Sequence, residues 1–425
     1  MNKKKVSIIL MFFIAILSTF VFVKNNSNVE ITNEVNNKSK KNRNLLTMNL
    51  EQTAGAGDYK TVTQSEWPTE GYKFNSELSR CENGSELSWD DENKIVLMSG
   101  NSNDKCYIYF DITSIADYCT SGTDLATCVK NFGDQGASVS NIYIHDSSLA
   151  NGAGDNSYRY AGANPNNYVC FGSDASPCPT DNLYRIIGIF GEDYHGVSGK
   201  QLVKLIKYDY ANSNLLGTDG DYYGSGTPDS LYYKGSLTSI DRYYWNNATQ
   251  TNTWSASLLN KTNLNTNFIN NIESTWSNKI AATTWKVGGN TYSNIILKTS
   301  SEVYANEIIS PSENTTYSAK IGLMYVSDYG FGAEPSAWTT KLYSYDGSMN
   351  DTTIRSQNWM HMGYSDWTIS RNFGQSNAVF YVNGGGNVGN FGVSFSVGVR
   401  ISFCLESSVK YISGTGTFSD SIRIN

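Results

Sequence analysis

Few residues in this chain carry obvious chemistry. Its three histidines, His145, His195 and His361, lie far apart and never at the i, i+4 spacing that sets two imidazoles on one helical face around a metal. The seven cysteines fall in order as Cys81 and Cys106, Cys119 and Cys128, Cys170 and Cys178, with Cys404 left over. No C-x2-C spacing suggests zinc, so neighbouring pairs read as three local disulfides, a chemistry of oxidising compartments. Six cysteines admit other connectivities, and nearest-neighbour pairing is the simplest. Asp219-Gly220-Asp221 is an acidic turn without the further ligands of a calcium loop. The 39 Asp and Glu residues offer many carboxylate pairs, and no motif selects two for glycoside hydrolysis. No catalytic set, metal site or cofactor is therefore expected.

What the chain has in abundance is aromatic rings, 29 of them Tyr and nine Trp. They crowd two polar stretches, one holding Tyr222, Tyr223, Tyr232, Tyr233, Tyr243, Tyr244, Trp245 and Trp254, the other Trp338, Tyr343, Tyr345, Trp359 and Trp367. Flat rings among Asn, Ser, Thr and Gly suit carbohydrate or protein recognition. Tyr243, Trp245, Trp338 and Trp359 are the expected ligand-binding set, with burial under long loops as the competing role for such rings.

The elements that must position these rings are mostly strands. At 425 residues the chain is long enough for two or three domains, and 17% charged residues against 13% aromatic describe a β-rich extracellular protein. Lys3, Lys4 and Lys5 precede the apolar run Val6–Val23, about 27 Å long as a helix, which reads as a signal anchor (residues 1–23) with the remainder outside the cell; cleavage of this segment would make the protein secreted. Residues 24–58, rich in Asn, Lys and Ser, read as a disordered stalk. Residues 59–111 alternate apolar and polar positions between Asn, Gly and Asp clusters, as in a small β module. Residues 112–155 form a connector with short helical turns, and residues 156–425 the main domain.

Residues 1–48 carry a net charge of +6, which leaves −13 on the rest of a chain whose total is −7. Phosphate backbones repel such a surface, and nucleic acid is not an expected partner.

In the main domain, strands are expected at Tyr158–Ala161, Tyr184–Phe190 and Gln201–Tyr208, helices within Ser255–Ile280 and Ser301–Ile309, and long loops at 211–253 and 325–363. Asn377–Asn383 and Ser394–Leu405 are expected to form a hairpin through the Gly-rich segment 384–392.

The order WTISR, AVFYVN, GNV and VGVRISFCL, followed by VKYISGTGTFSDSIRI, resembles the C-terminal end of a domain recurrent in surface and secreted proteins of low-GC Gram-positive bacteria. It is similar in turn to formylglycine-generating enzymes and the Fibrobacter succinogenes major paralogous domains, which share a C-type-lectin-like fold. Ile401 stands where that family carries proline. The resemblance implies an α+β protein with a C-type-lectin-like C-terminal domain, an antiparallel sheet with two or more helices and long loops, preceded by a small all-β disulfide-containing module and a transmembrane helix. It also implies that Tyr184–Phe190 and Ser394–Leu405 share a sheet, that Ser421–Ile424 closes near the domain's start, and that the two long loops gather on one side.

Gly398 and Arg400 are expected to be structural, Arg400 buried against a carboxylate or several carbonyls. The calcium motifs of C-type lectins do not carry over: Glu334-Pro335-Ser336 and Trp245-Asn246-Asn247 are incomplete and in the wrong order. The copper-binding cysteine pair of the formylglycine-generating enzymes has no counterpart, because Cys404 stands alone. The function expected is adhesin-like binding of an extracellular glycan or protein. An enzyme related to formylglycine-generating enzymes or a glycosidase, and a structural surface component, are the alternatives.

Overall fold

The computed structural model describes residues 45–63, 67–68, 70–101, 103–228, 232–346 and 352–425. The chain divides into two compact units, Met1–Ile112 and Thr113–Asn425. The anchor at 1–23 lies outside the described residues, and among those described no helix is long and apolar enough to cross a membrane. The fold is mixed helix and sheet, as an α+β protein requires.

The smaller unit is built on the strand Lys105–Ile112, where Cys106, Ile108 and Phe110 recur at every second position and turn inward. Leu45–Glu51 pairs with it in parallel, while Tyr72–Phe74 and Arg80–Cys81 pair antiparallel. Met48, Leu50, Val96, Ile108 and Phe110 form the core, covered by Trp67, Phe74 and Trp89. Cys81 stands directly opposite Cys106 in the register, and the two are joined by a disulfide. The stalk reading therefore stops short of residue 45: averaged over 24–58 the composition is polar, yet Leu46, Met48 and Leu50 alternate and make a strand.

In the larger unit the principal sheet runs in the order Ile321–Gly322, Ser402–Cys404, Leu202–Lys207, Leu183–Phe190, Tyr158–Tyr160, Ile142–Ile144, with Tyr168–Cys170 also paired to Leu183–Phe190. Leu183–Phe190 and Ser402–Cys404 share this sheet, both being neighbours of Leu202–Lys207. The chain's end returns to its early strands: Cys170 N donates to Ile422 O and Ile422 N to Tyr168 O, at 2.9 and 2.8 Å.

Residues 112–155 are more than a connector. Leu125–Gln135 is an 11-residue helix that buries Leu125, Cys128, Val129 and Phe132, and Ile142–Ile144 is an edge strand of the principal sheet. Disulfides join Cys119 to Cys128 and Cys170 to Cys178.

The expected C-terminal hairpin is rearranged. Ala378–Val382 pairs with Val388–Gly392, inside the segment read as a loop, and with Asp366–Arg371 on its other side. The stretch 394–405 is two short strands, Ser396–Val397 and Ser402–Cys404, belonging to different sheets. The break falls where Gly398 lies on the Tyr210 ring, since a Cβ there would stand 2.4 Å from Tyr210 Cδ1.

Candidate functional site

The four rings expected to bind ligand are in the core. Tyr243, Trp245 and Trp338 are fully buried and Trp359 is 2% exposed. Each polar tip is satisfied internally: Tyr243 Oη donates to Gly217 O, Trp245 Nε1 to Thr368 O, Trp338 Nε1 to Ala333 O and Trp359 Nε1 to Tyr160 O, all between 2.9 and 3.0 Å. Anchored rings of this kind pin loops to the sheet and present no face to a ligand, which corrects the aromatic-site expectation. The rings that do reach solvent are others. Phe395 is 55% exposed and stacks on Phe391, which stacks in turn on Tyr381.

The long loops 211–253 and 325–363 nevertheless meet, around charged residues. Lys234 N donates to Met362 O at 2.9 Å, and the Arg355 guanidinium lies 3.7 Å above the centre of the Tyr232 ring. Only glycine fits at 363, where a Cβ would stand 1.8 Å from Tyr232 O and φ is +84°.

The turn 383–387 is the third partner. Gly385 N and Gly386 N both donate to Asn383 Oδ1, Arg355 Nη1 donates to Gly385 O, and the His361 Nε2–H donates to Gly384 O at 3.0 Å. Around this junction three buried acceptors have no donor among the described residues: His361 Nδ1, Asp346 Oδ1 and Asn387 Oδ1.

The junction is strongly basic for so acidic a chain. Lys234 and Arg355 make no ion pair among the described residues, and Lys234 Nζ reaches only Arg355 O at 3.4 Å. Although its side chain touches solvent, partial burial together with Arg185, Arg355 and Arg400 brings the Lys234 ammonium down to about 8. Burial and the nearby Lys234 charge hold His361 neutral, at about 3.

Two buried guanidiniums contribute to this field. Arg400, 2% exposed, meets Asp366 at 2.5 Å and donates to Met360 O at 2.6 Å, as expected of a buried Arg. Burial outweighs the Arg400 charge and lifts Asp366 to about 6. Arg185, 4% exposed, has only neutral acceptors among the described residues, Asn167 Oδ1, Asn164 Oδ1 and Pro165 O, between the rings of Tyr168 and Trp359. Burial brings its guanidinium down to about 10, with Arg400 adding to the effect.

The other candidates are structural. His145 is buried against Phe331 and Trp338, accepts from Ala153 N and is pushed well below its ordinary value by burial. His195 caps its own turn, with Nδ1 accepting from Val197 N. Cys404 is 2% exposed and burial lifts its thiol to about 12, so it carries no thiolate at neutral pH. Asp221 accepts from Asn247 N and Leu259 N, which accounts for it as a loop anchor.

Comparison with protein-family models, curated proteins and solved structures finds no match for this chain.

Proposed function

We propose that the protein is an exported, membrane-anchored surface protein whose larger unit is a C-type-lectin-like domain binding an acidic glycan outside the cell. The observation that carries this reading is the meeting of three loops that brings the Lys234 ammonium and the Arg355 guanidinium together with no carboxylate bonded to either among the described residues. A sugar acid matches that chemistry, because its carboxylate satisfies the two cations. The lectin-like assignment is supported by the return of the C-terminus to Tyr168–Cys170 and by long loops converging on one place. Export is supported by the three disulfides.

The test is binding of the full chain to an array of neutral and acidic glycans, with and without EDTA. Acidic glycans are expected to be retained, EDTA to change nothing, and Lys234→Ala or Arg355→Ala to weaken retention several-fold. Equal retention of neutral and acidic sugars, or none, removes the reading. Turnover of a glycan would favour the glycosidase alternative. A second reading, a structural surface component, is favoured by the burial of the four rings and is what remains if no ligand is retained.

A further inference from the structure

Beneath the principal sheet lies a second group of charges, and solvent does not reach it. Lys204, on the strand Leu202–Lys207, and Asp328, on the short helix Val326–Gly332, are both fully buried and stand 2.7 Å apart, Nζ to Oδ2. The rings of Tyr194, Trp285 and Tyr325 surround the ammonium with centres 4.5 to 5.0 Å away.

The hydrogen bonds within the group run in a definite order. Lys204 Nζ donates to Tyr194 Oη at 2.6 Å, and Tyr194 Oη donates to Asp328 Oδ1 at 2.6 Å. The other carboxylate oxygen, Oδ2, accepts from the Tyr325 backbone N–H at 2.9 Å. Arg159 Nη1 lies 3.9 Å from Oδ1 and has no hydrogen-bond partner among the described residues.

We propose that Lys204 and Asp328 join in an intramolecular amide bond. An amine held 2.7 Å from one oxygen of a carboxyl group is already beside the group it would attack, and a dry site disfavours the reverse hydrolysis. The first proton passes from the Lys204 ammonium through Tyr194 to Oδ1, leaving a neutral amine beside a carboxylic acid. Nζ then bonds to Cγ, and the negative charge of the tetrahedral adduct falls on Oδ2, where the Tyr325 N–H receives it. A second proton follows the same route from Nζ to Oδ1, the Cγ–Oδ1 bond breaks, and one water leaves. Ammonium and carboxylate are consumed and amide and water are formed, so no oxidant or external reactant is needed. Tyr194 is the proton carrier and Arg159 the further N–H aimed at the departing oxygen.

The bond would tie a central strand to a helix 124 residues further along the chain. It closes a loop that none of the three disulfides closes. This inference is independent of any ligand.

Peptide mapping of the purified full chain tests it directly. After reduction and digestion with trypsin, an acylated Lys204 resists cleavage, so residues 201–207 are expected to remain joined to residues 321–341 in one branched peptide, lighter by one water than the two linear peptides together. Linear peptides 201–204 and 321–341 as the main products, from protein that folds, overturn the proposal. Lys204→Arg keeps the positive charge and removes the nucleophile; it is expected to yield linear peptides only, and a branched species persisting in it would also overturn the assignment.

Discussion

Two places in the larger unit treat positive charge differently. At Arg400 the cation has a carboxylate at 2.5 Å, both members are nearly inaccessible, and the guanidinium also donates to Met360 O. At the loop junction, Lys234 and Arg355 have backbone carbonyls and a tyrosine face but no ion pair with a carboxylate among the described residues. A charge buried with its counter-ion is part of the fold, because removing one partner strands the other in a medium of low dielectric. A charge left without one at the surface contributes little to stability and remains available to something else. The difference separates architecture from candidate function within one set of residue types.

The strongest test of that contrast is to strand a buried cation. Asp366→Ala leaves the Arg400 guanidinium without its anion and is expected to cost about 3–5 kcal/mol, read as a lowered denaturant midpoint with an unchanged slope. An unaltered midpoint would mean that the pair does not stabilise the fold.

In the smaller unit no buried ion pair is found among the described residues, and a core of five buried side chains is backed by a disulfide. Cys81→Ala with Cys106→Ala is expected to destabilise that unit by about 2–4 kcal/mol. Amide hydrogen exchange in Lys105–Ile112 should accelerate while exchange in Leu183–Phe190 does not. Equal acceleration in both would show that the two units do not unfold separately. Smaller again is Gly398→Ala, where the new methyl meets the Tyr210 ring and is expected to cost about 1–3 kcal/mol.

The buried half of the contrast was partly legible in the sequence. Arg400 in an apolar strand demands an anion, which follows from the residue alone, but its partner Asp366 lies 34 residues upstream in a different strand. The strands Leu183–Phe190 and Leu202–Lys207 are visible as apolar runs of the right length, and the disulfides as neighbouring cysteines. The functional half was not legible. Lys234 and Arg355 are 121 residues apart and unremarkable in isolation, and only the fold brings them together. Counting rings in polar loops misled, because a Trp in such a loop serves equally to nail the loop to the core, as Trp245 and Trp359 do through their N–H groups. The helix Val326–Gly332 escaped for a related reason: all seven of its residues are buried, so it has no polar face to mark a period, and two of them are glycine.

The substitution expected to cost no stability is the most informative for function. Lys234→Ala is expected not to lower folding stability at neutral pH, since no ion pair among the described residues is broken and the ammonium it removes is held below its ordinary value. Its effect belongs on binding and on pH. With Lys234 at about 8 in the folded chain, below the ordinary lysine value, the unfolded chain binds the extra proton between roughly pH 8 and 10.4, so stability attributable to this group rises with pH across that window. An anionic ligand acts in the opposite sense. It favours the charged ammonium, draws a proton in as it binds near pH 8, and weakens as pH climbs through that value. Calorimetric titration in buffers of different ionisation enthalpy measures the proton uptake directly. Uptake in the native chain that vanishes in Lys234→Ala, with midpoints of unfolding not lowered, places the charge in binding; a pH profile that is flat in both proteins assigns the junction's basicity to something other than a ligand.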